Sequence, residues 1–121
     1  MNYERIMPRV FVFLASMVAI STLFHLYGLI DPSVREDYSW QRHLFWVIFN
    51  SVGIYFLLNR RWYLIPVIAV LLVQQWYGHG GELIFIWNNE NRISITDIFP
   101  MINTLLIFLA YTYDVYRSRF A

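Results

Sequence analysis

Four apolar stretches alternate with short polar turns along this chain, and each is close to the length a helix needs to cross a bilayer. That length is roughly 20 predominantly apolar residues for about 30 Å of hydrocarbon. Residues 10–30 carry no full charge and end at Asp31-Pro32, where proline cannot continue a helix without losing a hydrogen bond. Residues 43–58 form a shorter second stretch, which Gln41 and Arg42 extend at its outer end. Residues 62–87 form a third, long enough for tilt or for a break at Gly78, Gly80 and Gly81. The fourth, residues 97–113, has Pro100 near its start, where a helix tolerates proline best. None shows the apolar/polar alternation of a barrel strand. The expected fold is an all-α integral membrane protein, with four transmembrane helices in an up-down-up-down bundle forming a single domain over residues 1–121. The very short turn between the second and third stretches predicts that they lie antiparallel. No internal repeat, low-complexity segment or interdomain linker is evident. The first stretch is about twice the usual core of a signal peptide, and Met17 spoils the small-residue pattern before Ala19, so it is expected to remain as a span.

Charge gives the orientation. All nine basic residues are Arg. Arg5, Arg9, Arg60, Arg61, Arg117 and Arg119 fall on one side of the spans, while Arg35, Arg42 and Arg92 fall on the other among Asp31, Glu36, Asp37, Glu90 and Asp97. Positive charge resists translocation, so both termini are expected in the cytoplasm of a multi-pass protein of the cytoplasmic (inner) cell membrane. Aromatic residues gather at both interfaces: Tyr38, Trp40, Trp76, Tyr77 and Trp87 outside, and Trp62, Tyr63, Tyr111, Tyr113 and Tyr116 inside. Composition agrees with a lipid bilayer as the first partner, since 59% of residues are hydrophobic and only 14% are charged, against about 25% charged in soluble domains. A net charge of +1 supplies no basic stripe for nucleic acid, and the absence of Cys removes disulfides, thiolate metal sites and thiol nucleophiles.

Polar side chains inside the spans mark function by default, because hydrocarbon offers them no partner. Here they lie on one side. His25, His43, His79, Glu82 and Asp97 all sit toward the outer face, whereas the inner half holds only hydroxyls such as Ser16, Ser51, Tyr55 and Thr112. Gln75, His79 and Glu82 share one helical face, as do His43, Trp46 and Asn50. Asn50, Gln75 and Asn103 are expected to form an uncharged layer beneath the ionisable one. The implied shape is a polar well open to the outside above an apolar floor, which disfavours a single-bundle channel or transporter.

Two chemistries suit that well. His25, His43 and His79 with Glu82 are a candidate ligand set for zinc, copper or iron, although His79-Gly-Gly-Glu82 is no recognised zinc motif. Without metal, His79 and Glu82 are a candidate acid/base pair acting on a lipid-like or quinone-like molecule, with His25, Asn50, Gln75, Asp97 and Asn103 lining the pocket. Simpler roles stand beside these. His25 serves equally as an interhelical hydrogen-bond partner, His43 as a solvated interfacial residue, and Glu82 as half of an ion pair with Arg42 or Arg92. Asn50, Gln75 and Asn103 serve as interhelical pins, Gly53 beside Ser51 marks a close helix approach, and Ser94, Thr96 and Asp97 cap the fourth helix. The Asp31 to Arg42 loop is either a self-paired connector, a lid or a docking surface. Two other readings of the whole chain remain. One is an accessory subunit of a larger membrane complex, its aromatic faces covered by partner subunits or by further copies of itself. The other is a small transporter that works as an oligomer.

Overall fold

In the computed structural model, residues 2–34 and 39–120 are described. Arg35, Glu36, Asp37 and Tyr38, and with them most of the lid or docking expectation, lie outside the described residues. Four helices account for nearly all the rest: α1 (Tyr3–Ile30), α2 (Trp40–Asn59), α3 (Ile65–Glu90) and α4 (Ile95–Arg119). Single 3-10 turns at Pro32–Val34 and Trp62–Leu64 precede α2 and α3, and there is no strand among the described residues. Two of the helices, α1 and α4, are long and apolar enough to cross a membrane.

Helix α1 begins seven residues before the apolar stretch does and carries Pro8 inside it. At that position proline deprives only the Glu4 carbonyl of its helical partner, and both residues are exposed. Helix α3 runs unbroken through Gly78, Gly80 and Gly81, none of which adopts a positive φ. The helix stays continuous despite the cost of each glycine, about 1 kcal/mol.

The chain divides into two compact units, Met1–Arg60 and Arg61–Ala121, each a helical hairpin. In the first, α1 buries Met7, Phe11, Leu14, Ala15, Val18, Thr22 and Gly28, a seam at spacings of three and four that faces one side of α2. The seam is closed at both ends. Gly28 meets the ring of His43 at one end, and at the other the Arg60 guanidinium lies 5.7 Å from the centroid of the Phe11 ring. Residues early in α1 thus meet the end of α2, which makes the pair antiparallel. The close approach falls at Gly28 and not at Gly53, where an added β-carbon would meet nothing within 4 Å.

The second hairpin repeats the scheme with different groups. Gln75 and Ile86 of α3 and Asp97, Asn103 and Tyr111 of α4 are buried. Arg119 lies 4.1 Å over the Trp62 ring, at the end opposite the contact between His79 and Asp97. Tyr111 is 1% exposed, a core residue and not the interfacial ring expected from the sequence. Trp62, Tyr63, Tyr113 and Tyr116 are all about half exposed. The Trp76 indole N–H donates to the Met101 carbonyl at 3.0 Å, three residues before His79 on α3 and four after Asp97 on α4. This register brings Asn103 level with Gln74 and Gln75.

Candidate functional site

Each hairpin carries one polar pair near the turn that joins its helices. In the second, His79 Nδ1 lies 2.8 Å from Asp97 Oδ1. Asp97 is buried and His79 half-buried, with a quarter of its side chain exposed. The other carboxylate oxygen of Asp97 accepts from the Ser94 hydroxyl, which also lies 3.1 Å from Thr96 Oγ1. Ser94 therefore occupies the N-cap position of α4 without capping it, because its hydroxyl turns to the carboxylate instead of a backbone N–H. Asp97 stands in the first turn of α4, where the helix dipole favours negative charge. A carboxylate held from behind by a serine and placed on Nδ1 fixes the orientation and tautomer of the imidazole. Nε2 of His79 is left as the nitrogen for a ligand or a proton.

Glu82 lies one turn further along α3, exposed, and is not the partner of His79. Nor does it pair with Arg92, whose Nε binds Glu90 at 2.5 Å. Beyond His79, α3 continues for eleven residues, while α4 begins only two residues before Asp97. The connection Asn91–Ser94 must therefore return alongside the last turns of α3. Asn91 starts this return in the left-handed conformation at φ 50, which Asn tolerates better than most residues. Between the returning chain and the helix lies an open apolar groove of about 340 Å³, lined by Leu83, Ile84, Trp87, Ile93 and Ile98.

In the first hairpin the pair is His25 and His43, with Nδ1 atoms 2.9 Å apart. Far from being solvated, His43 is 1% exposed; the missing side chain of Gly28 makes the space for its ring. Phe24 stands edge-on to both rings, and Trp46 stacks on His25 with planes 24° apart. The His25 ring is thus the interhelical hydrogen-bond partner that one reading of the sequence expected.

The deeper layer is less uniform than expected. Gln75 is buried and donates to its neighbour Gln74, Asn50 is half-buried, and the Asn103 side-chain carbonyl is buried with no hydrogen-bond partner. Gln75 and Asn103 are therefore not pinned to a facing helix. Among the described residues no three His, Asp or Glu side chains assemble into a group that would hold a metal ion. Sequence reasoning missed Gly28 and the tie from Trp76 to Met101. The first had a signal, because Gly28 lies three residues from His25 on the same helical face; a side chain bonding a backbone carbonyl leaves none.

Comparison with family models, curated proteins and solved structures finds no match to this chain.

Proposed function

We propose that this is a multi-pass protein of the cell membrane with four spans and cytoplasmic termini, which binds a small amphipathic ligand at the outer end of the α3–α4 hairpin. The polar group of the ligand sits on His79, and its apolar part lies along the groove of Leu83, Ile84, Trp87, Ile93 and Ile98. The observation that carries this reading is the buried Asp97 carboxylate holding Nδ1 of a half-open imidazole, with a wholly apolar groove that starts at Leu83, one helical turn beyond His79, and at Ile98, next to Asp97. Ligand sites combine an apolar wall with a few fixed polar groups in this way. A lipid-like or quinone-like molecule, with a carbonyl or hydroxyl at one end, matches both halves.

The four-span threading rests on length, on exposed apolar surface and on the distribution of Arg. Helices α2 and α3 have 20 and 26 residues, enough for about 30 Å at 1.5 Å per residue. Phe45, Ile48, Val52 and Leu58 on α2 and Val70 and Val73 on α3 are about half exposed or more, surface that suits lipid and not water. A proton-transfer role for His79 toward the bound molecule, with Glu82 as the second titratable group, is the catalytic form of the same reading.

A photoreactive short-chain quinone analogue, added to the protein in lipid nanodiscs, tests the site. Crosslinks confined to residues 83–98 and abolished by His79→Ala are the expected result. Labelling spread over both hairpins, or unchanged in His79→Ala, overturns it.

One observation favours the accessory-subunit reading as second choice. Gln74 is exposed midway along α3, and its amide N–H groups suit an acceptor on another membrane helix. The oligomeric transporter draws less support. Ser16, Thr22, Ser51, Thr104 and Thr112 each donate to the carbonyl four residues earlier, so these hydroxyls are engaged by their own helices.

A further inference from the structure

We infer that the His79 site selects a ligand whose head is a neutral hydroxyl over one headed by a carbonyl or an ether. Of a quinone-like pair, the reduced, phenolic form is then the one held more tightly. This selectivity presupposes the ligand site proposed above and names the chemistry that site accepts. The proton on the ring decides it. Asp97 Oδ1 lies 2.8 Å from His79 Nδ1, and the other carboxylate oxygen already accepts from the Ser94 hydroxyl. A carboxylate offers only acceptors, so the proton between Oδ1 and Nδ1 belongs to Nδ1. The neutral imidazole has one N–H and one lone pair. With the N–H committed to Asp97, Nε2 carries the lone pair and can only accept. Among the described residues Asp97 is the one hydrogen-bond partner of His79, and a quarter of the His79 side chain is exposed.

Burial makes the arrangement stiff. Asp97 is buried in the first turn of α4, and the Ser94 hydroxyl that holds it lies 3.1 Å from Thr96 Oγ1. Exchanging the tautomer would set the lone pair of Nδ1 against a carboxylate oxygen at 2.8 Å with no proton between them. A carbonyl or ether head at Nε2 meets the same conflict, because its oxygen faces a lone pair. A hydroxyl donates, and its one proton matches the one acceptor. An ammonium head would bring three N–H groups, of which Nε2 satisfies one. The groove fits the tail of such a molecule. From His79 to Trp87 is about 12 Å of helix at 1.5 Å per residue, and the volume of about 340 Å³ is near the lower end for small-molecule sites, which suits a single ring or chain.

The test uses the full-length protein in lipid nanodiscs, with the photoreactive short-chain quinone analogue as reporter. The competitors are para-octylphenol, its methyl ether and para-octylacetophenone, which share a tail and differ in the head, each compared as its mole fraction among the lipids. In wild type the phenol is expected to suppress labelling of residues 83–98 at a mole fraction about fivefold lower than the ether or the ketone. The amide of His79→Gln both donates and accepts, and Asp97→Ala frees the tautomer, so in each the ratio of phenol to ketone should fall toward one. A ratio read within one variant does not depend on how much of that variant folds. Imidazole nitrogen shifts of wild type should show Nδ1 protonated and Nε2 bare, with the Nε2 resonance moving on addition of the phenol and not of the ether. Labelling that stays within residues 83–98 but is suppressed equally by all the heads, or best by the ketone, overturns the hydroxyl preference and leaves the ligand site standing. A proton on Nε2 in wild type, or a phenol preference that persists in both variants, does the same. Labelling spread over both hairpins overturns the ligand site and the preference with it.

Discussion

His43 is seated where Gly28 has no side chain, so tightly that a β-carbon at residue 28 would lie 2.7 Å from His43 Cε1 and under 3 Å from both ring nitrogens. The overlap falls on the body of a buried ring and cannot be relieved by a flexible tip. Gly28→Ala is therefore expected to destabilise the first hairpin by about 1–3 kcal/mol through overpacking. Gly53→Ala, in open space, should be neutral or stabilising by up to about 1 kcal/mol because alanine is the better helix former. Equilibrium unfolding in mixed micelles measures both, and equal losses at the two glycines would contradict the seating of His43.

Asp97 should be more sensitive than its partner. Asp97→Ala leaves the Ser94 hydroxyl buried and His79 Nδ1 unpaired, at an expected cost of about 1–3 kcal/mol. Asp97→Asn keeps one acceptor oxygen for one of the two partners and turns a donor N–H toward the other, where the Ser94 hydroxyl oxygen can accept it, so it should lose less. The checks are unfolding together with the imidazole nitrogen shifts of His79, which should report a mixture of tautomers in Asp97→Ala and a single tautomer in wild type.

Asn103 gives the opposite sign. Its buried carbonyl has no hydrogen-bond partner, so an isosteric apolar replacement removes a desolvation cost of about 1–3 kcal/mol. Asn103→Leu should raise stability; a loss would mean that the carbonyl has a partner in the protein under the conditions of the measurement.

At the other end of the hairpins, the cation–π contact is shorter in the second, 4.1 Å from Arg119 to Trp62 against 5.7 Å from Arg60 to Phe11. A double-mutant cycle on Arg119 and Trp62 should return a coupling of about 0.5–1 kcal/mol, and the same cycle on Arg60 and Phe11 a smaller one. Equal couplings would show that distance does not govern them.

Threading is checked by chemistry the chain makes easy, since it has no Cys. Single Cys substitutions at Asn59 and Ser118 should react with a membrane-impermeant thiol reagent only from the cytoplasmic side. Those at Ser33 and Asn89 should react only from the other side. Labelling of Asn59 and Asn89 from the same face would remove α3 as a span.

The helices are plain in the sequence because the length of an apolar stretch and helical spacing are properties of many residues at once. All four apolar stretches lie in helices, and the errors fell at ends such as Tyr3, where amphipathic residues extend a helix past its apolar core. Pairing was harder to read. Helical spacing placed His79 and Glu82 on one face and suggested that they act together, yet the residue that reaches His79 comes from α4, eighteen positions away. Spacing within one helix says which groups look the same way, and only the packing of a second helix says which of them is met. His43 was misread for the same reason. Its place beside Arg42 suggests water, while the gap left by Gly28 in another helix is what buries it.

The overhang of α3 beyond the start of α4 has a further consequence. Eleven residues past His79 amount to about 16 Å of helix whose only described companion within its hairpin is the returning chain and the first turns of α4. The groove along this overhang is open at its side. On the proposed function, a molecule dissolved in the outer leaflet would reach His79 by lateral diffusion without first entering water, and occupancy should follow its mole fraction among the lipids and not its aqueous concentration. Diluting the ligand with inert lipid at constant total ligand should then empty the site.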